Sequence, residues 1–123
     1  MNKKILVVDD SAIMRSLVVS AIEEIAGVET VEASNGYEAL KVLPQHTFDM
    51  IITDINMPEI NGLEIVHFVK NNENYKKIPT VIISTDHGEA EVKKGLALGA
   101  NRYFIKPFDM EQLKDTVKEF LKI

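Results

Sequence analysis

Five short apolar runs, each followed by a segment of helical spacing, limit the fold of this chain more than any other feature. The runs are ILVV (5–8), VETVEA (28–33), MIIT (50–53), TVIIS (80–84) and RYFI (102–105). Between them, Ile13, Leu17, Ala21, Ile22 and Ile25 share one helical stripe, and Leu113, Val117, Phe120 and Leu121 share another near the C-terminus. Strands that alternate with helices need right-handed crossovers, so the pattern predicts a doubly wound α/β fold, a parallel sheet with helices on both faces. Strands buried on both faces are continuous apolar runs, as the first, third and fourth are. VETVEA alternates instead, which places it at the sheet's edge. The punctuation agrees. Gly27 is expected to close the first helix, Asn35-Gly36 to open the second after Ser34, Pro44 to end it, and Gly99 to close the fourth. Asp109 followed by Gln112 reads as an N-cap with a partial capping box for the last helix.

At 123 residues, 46% apolar and 27% charged, the chain has ordinary globular composition and the length of one domain. With no linker, repeat or low-complexity stretch, the expectation is a single domain over 1–123 with no output domain attached. A net charge of −5 argues against nucleic acid as a ligand. The absence of cysteine removes disulfides, thiolate metal sites and Cys nucleophiles. The apolar run of MNKKILVVDD is too short for a signal peptide, and no stretch approaches the roughly 18 apolar residues of a membrane span. The expected location is the cytoplasm, away from the membrane.

In a parallel sheet every strand's C-terminal end lies on one edge, which gathers residues distant in sequence. Asp9 and Asp10 follow the first strand, Asp54 the third, Ser84 and Thr85 the fourth, and Lys106 the fifth. Open α/β sheets bind ligands at that edge, where the strand order reverses; for the order 2-1-3-4-5 the reversal lies between strands one and three. The aspartates belong to those two strands. Crowded carboxylates repel and raise each other's pKa unless a cation compensates. Lys106 supplies one positive charge, and a hard divalent ion such as Mg²⁺, which favours oxygen ligands and phosphate, supplies the rest. An aspartate there can itself be the nucleophile for a phosphoryl group. Taken singly, each residue has a plainer reading: an Asp after a strand caps a helix or makes a turn, and a lone Lys is solvated. Asp10 or Ser11 is also placed to cap the first helix.

DD at 9–10, DINMPEING at 54–62, IISTD at 82–86 and YFIKPF at 103–108, in this order and spacing, resemble the receiver domain of two-component response regulators, in particular the stand-alone CheY-like kind. The resemblance covers essentially the whole chain. It implies a flavodoxin-like (βα)5 sandwich with a five-stranded parallel sheet of order 2-1-3-4-5; CheY is a standard example of that order, so the order rests on the resemblance. It further implies that Asp54 is the phosphoacceptor, taking its phosphoryl group from a phosphohistidine on a histidine kinase or histidine phosphotransfer protein. Asp10 and Asp54 would hold Mg²⁺ (Mn²⁺ as a substitute), with the backbone carbonyl of Asn56, and Asp9 would act through water. Lys106 would pair with Asp54 and then with a phosphoryl oxygen, while Ser84 and the amide of Thr85 bind the phosphate. Ser84 and Tyr103 would form the switch, Tyr103 turning inward as Ser84 shifts, with output through helix four, strand five and helix five. Gly62 would start the third helix after a loop stiffened by Pro58, and Lys106-Pro107 would be a cis peptide.

What the resemblance describes is a phosphorylation-activated signalling switch acting in trans on a downstream target, chemotaxis among the pathways. Its catalysis is limited to its own phosphorylation and dephosphorylation, and its expected state is a monomer with a transient dimer. The alternative is a receiver-like adaptor that works without phosphate. An aspartate-nucleophile phosphatase usually has a second Asp where Asn56 stands, and a flavin site needs glycine that DDSAIMRS lacks. Thr85 stands where alanine or glycine is common, so its bulk is expected to slow hydrolysis, with Asn56 and Asp86 tuning the rate. Gly95 in the fourth helix either eases its rearrangement or permits close packing. His87 reads as a solvated loop residue beside the site, and His46 and His67 as surface positions.

Overall fold

The segment Met50–Asp54 is buried at every position because it forms the middle strand of the sheet and is covered on both faces. The computed structural model describes residues 2–85 and 88–123. Its elements run β1 (Lys3–Val8), α1 (Ala12–Ile22), β2 (Val28–Ala33), α2 (Gly36–Val42), a 3-10 turn (Leu43–Gln45), β3 (Met50–Asp54), α3 (Gly62–Lys70), β4 (Thr80–Ser84), α4 (Glu89–Ala97), β5 (Arg102–Ile105) and α5 (Met110–Leu121). The five strands are parallel, in the order β2-β1-β3-β4-β5. VETVEA is an edge strand, as its alternation predicts.

The pleat divides the core. Ile5, Val7, Met50, Ile52, Val81 and Ile83 point to one face, where α1 and α5 contribute Val18, Ile22, Leu113, Val117 and Leu121. Leu6, Val8 and Ile51 point to the other, against Ala39 and Leu43 after β2 and Ile65 and Val69 of α3. Ile82 continues that face towards Leu63 and Val66 of α3. Each fully buried Leu or Ile contributes roughly 1.5–3 kcal/mol, so this two-sided burial holds the sheet edge in place.

Of the stripe expected from sequence, Ala21, Ile22 and Ile25 are buried, but its first two members give way to their neighbours Met14 and Val18. Ile13 and Leu17 are 78% and 52% exposed, and the buried line is Val18, Ala21 and Ile22, with Met14 packed against it. The apolar residues go nearly round this helix, so spacing alone does not choose between adjacent stripes. Gly27 does not cap α1, which ends at Ile22; it sits in the left-handed region (φ 81°) of the turn into β2. Pro44 belongs to the 3-10 turn that prolongs α2 rather than ending it abruptly. Asp109 does cap α5, accepting from the amide of Glu111, two positions into the helix.

Candidate functional site

Pairing of Val8 with Thr53, Asp54 with Ile83 and Ser84 with Ile105 sets the residues that follow each strand side by side on one rim. Asp54 is only 5% exposed although it ends its strand. The loop beyond it is tied back by the Ile55 carbonyl, which accepts from Met57 (2.9 Å) and Gly62 (3.0 Å). Asn61 and Glu64 then close a full capping box on α3. Gly62 is required for a steric reason: a Cβ here would land on the carbonyl oxygen of Asp54. The start of α3 therefore presses directly on the backbone of the candidate nucleophile.

Carboxylate oxygens of Asp9, Asp10 and Asp54 all lie within 4.8 Å of one another. Asp9 is fully buried and Asp10 exposed. Lys106 Nζ lies 3.3 Å from Asp9 Oδ2 and 3.3 Å from Asp54 Oδ1, so the lysine bridges two carboxylates, the expected Asp54 and also Asp9. Burial pushes the Asp54 carboxyl above its ordinary 3.8; the Lys106 charge pulls it back, and Asp9 and Asp10 add to the rise. Like-charge repulsion, the cause argued from sequence, is thus secondary to desolvation. With one ammonium against three carboxylates, the rim keeps a net negative charge. An all-oxygen donor set of this size and charge fits Mg²⁺: Asp10 and Asp54 would hold it directly. Asp9 already accepts from the Ser11 amide (2.9 Å) and Lys106, which suits contact through water.

Ser84 is fully buried at the end of β4, its carbonyl accepting from the Lys106 amide at 2.7 Å, and Thr85 beside it is exposed. Asn56 lies exposed in the loop after β3. Tyr103 is half-buried against the Ile82 cluster, and a Cβ on Gly95 would come within 2.9 Å of Ile82 Cδ1 and 3.3 Å of the Tyr103 ring. Of the two readings for Gly95, the geometry favours close packing of α4 on β4 and β5. Lys106-Pro107 is cis. Asp86 and His87 lie outside the described residues. His46, read from sequence as a surface residue, is half-buried, with Nδ1 3.2 Å from Lys4 Nζ and its ring 5.4 Å from that of Phe48. His67 is exposed on α3.

Arg15 went unnoticed in the sequence. Its Nη1 donates to the Asp9 carbonyl at 2.7 Å and its Nε to Glu32 Oε1 at 2.9 Å. The available signal was its place one helical turn after Ser11, on the side of α1 that faces back towards β1 and β2.

The rim and the strand order together define a receiver domain, and comparison with known proteins agrees. The family described as "Response regulator receiver domain" matches residues 5–118, and this chain belongs to it. The chain is similar to a Helicobacter pylori protein named Chemotaxis protein CheY1, with 39% identity over 119 residues, 96% of each chain. The Vibrio cholerae chemotaxis protein CheY4, crystallised at low pH, superposes with a TM-score of 0.89 at 35% identity, over 98% of this chain and 99% of that one. The phosphorylated cyanobacterial phytochrome response regulator RcpA superposes with a TM-score of 0.85 at 28% identity, over 99% and 93%. Receiver domains generally bind Mg²⁺ and work between histidine kinase donors and downstream targets. Among the described residues, no helix is long and apolar enough to cross a membrane.

Proposed function

We propose that this protein is a phosphorylation-driven signalling switch in which Asp54 accepts a phosphoryl group. The observation that carries the reading is the convergence of Asp9, Asp10 and Asp54 on Lys106 at the switch-point rim of the sheet. An Asp54 oxygen attacks the phosphorus of a phosphohistidine; the P–N bond breaks and the imidazole leaves with the electron pair. Lys106, already 3.3 Å from Asp54, neutralises charge on the incoming oxygens. Mg²⁺, held by Asp10, Asp54 and the Asn56 carbonyl with Asp9 behind water, would supply the remaining positive charge. Phosphoryl transfer asks mainly for such positioning and neutralisation. The later loss of phosphate to water, past Thr85, returns the carboxylate.

The phosphate then draws on Ser84 and the Thr85 amide, and Tyr103 responds to the shift of Ser84. Output passes through α4, β5 and α5. Support for that face is the half-buried Tyr103, the 41% exposed Ile105, and the Arg102–Glu119 pair (2.7 Å) that joins β5 to α5 on one surface. The phosphodonor docks on the other side of the rim. There Ile13 and Leu17 expose an apolar ridge on the first turns of α1, immediately after the Asp9-Asp10 pair. The target is a separate protein met in the cytoplasm, a reading supported by chemotaxis relatives of nearly equal length, and the working state is a monomer.

Incubation of wild type and Asp54→Asn with acetyl phosphate and Mg²⁺, followed by mass spectrometry, tests the proposal. A hydroxylamine-labile phosphoryl adduct on wild type and none on Asp54→Asn is the expected result. No adduct on either would favour an adaptor that works without phosphate.

A further inference from the structure

Asp9 has every polar group engaged. Its amide donates to the Ala33 carbonyl (3.1 Å), Oδ1 accepts from Ser11 (2.9 Å), Oδ2 from Lys106 (3.3 Å), and its carbonyl from Arg15 Nη1 (2.7 Å). The last contact is the one made by a charged side chain that has no part in the switch described above. Arg15 lies in the first turn of α1 with its side chain 18% exposed, and its Nε is paired with Glu32 at 2.9 Å. Glu32 sits on β2 opposite Val7 of β1. A guanidinium presents its donors in one rigid plane, so engaging Nε and Nη1 together fixes the group and both things it touches. The tether therefore runs from the edge strand to the peptide that joins Asp9 to Asp10.

That peptide decides where Asp10 goes. It is planar, so turning the Asp9 carbonyl turns the Asp10 amide with it. Asp10 is exposed, and among the described residues no donor holds its carboxylate by a hydrogen bond. Repulsion from Asp9 and Asp54, no more than 4.8 Å away, drives Asp10 outward. Lys106, paired with Asp9 and Asp54, offsets only part of this, and the backbone must hold Asp10 in place.

We propose that Arg15 is a positioning residue for the metal site: clamped to Glu32, it holds the Asp9–Asp10 peptide so that the Asp10 carboxylate stays converged with Asp54. The inference rests on the reading of these carboxylates as Mg²⁺ ligands. Without the clamp, binding must first gather Asp10 back against its neighbours, and affinity falls by that cost.

Calorimetric titration of MgCl₂ into folded, EDTA-treated and dialysed protein tests this with Mg²⁺ alone as probe. Arg15→Ala is expected to raise the Kd roughly tenfold, within the range for partners that orient a ligand from behind, with Arg15→Lys recovering part of the loss and Glu32→Gln raising Kd a few-fold. Urea unfolding in EDTA is run on the same samples. A merely structural Arg15 would lower the unfolding midpoint and leave Kd unchanged, and that result overturns the proposal. Should Arg15→Ala not fold, Glu32→Gln carries the test, and a wild-type Kd for it overturns the proposal equally. If wild type itself takes up no Mg²⁺, the parent reading fails, and the role of Arg15 goes with it.

Discussion

Replacing Asp54 by Asn should make the metal-free protein more stable, because the charge it removes is buried among like charges. Carboxylate oxygens at the 4.8 Å limit of this cluster repel by about 3.5 kcal/mol per pair at an effective dielectric of about 20. Lys106, at 3.3 Å, returns about 5 kcal/mol on the same scale. Exposure of Asp10 screens its share, so these charge terms nearly cancel, and burial of the carboxylate, the chief cause of its raised pKa, decides the sign: a gain of about 1–2 kcal/mol for the neutral amide, the scale of an incompletely compensated buried group. The pH dependence follows from the raised pKa of Asp54. In the folded protein this carboxyl binds its proton more tightly than in the unfolded chain. The stability it contributes is therefore fully present below about 3.8 and is lost as pH rises through the higher folded value. The advantage of Asp54→Asn should be complete at pH 7 and shrink on acidification towards pH 4. Saturating Mg²⁺ reverses the order, since a ligand at 100 times its Kd stabilises wild type by about 2.7 kcal/mol while the variant has lost a ligand. Urea unfolding in EDTA and in Mg²⁺, at pH 7 and pH 4, reads all of this. An Asp54→Asn protein no more stable than wild type at pH 7 in EDTA, or a gap that widens with acid, would refute the electrostatic argument.

Three further outcomes are expected. Gly62→Ala should cost about 3 kcal/mol by urea unfolding, since its Cβ falls on the Asp54 carbonyl and α3 must retreat; a wild-type midpoint would contradict the packing. Thr85→Ala should speed loss of the aspartyl phosphate, measured by phosphate release after removal of the donor, and an unchanged rate would clear Thr85 of blocking water. The double variant Ile13→Glu, Leu17→Glu should fold normally, keep its reaction with acetyl phosphate, and lose transfer from a phosphohistidine domain; equal loss with both donors would mean the α1 ridge is no docking surface.

A parallel sheet covered on both faces was readable because five apolar runs alternate with helical spacers, while the strand order came from the family resemblance; MIITD shows the pattern best, since a fully buried strand carries no alternation to misread. Rim residues were readable for the same reason, since parallel strands bring Asp9, Asp54, Ser84 and Lys106 to one edge wherever the helices lie. What stayed hidden depended on rotation and reach. Ile13 and Leu17 are each one residue, about 100° of helix rotation, from the half-buried Met14 and the buried Val18, a difference that only packing against α5 and β2 resolves. Lys106 was legible as a cation but not as a bridge to Asp9, and Arg15 and Glu32, as an ordinary exposed-looking pair, carry no motif. Gly62 had a sequence role as a helix start; its contact with the Asp54 carbonyl required the loop to be folded back.

On the proposed function, this acidic rim holds Mg²⁺ and receives phosphorus at Asp54. A crystal structure with Mg²⁺ and beryllofluoride measures it directly. The expected result is beryllium on an Asp54 oxygen, Mg²⁺ on Asp10 and Asp54, Lys106 and Ser84 on the fluorines, and Tyr103 turned inward. A rim left empty under saturating ligand, with Asp10 and Asp54 turned apart, would contradict it.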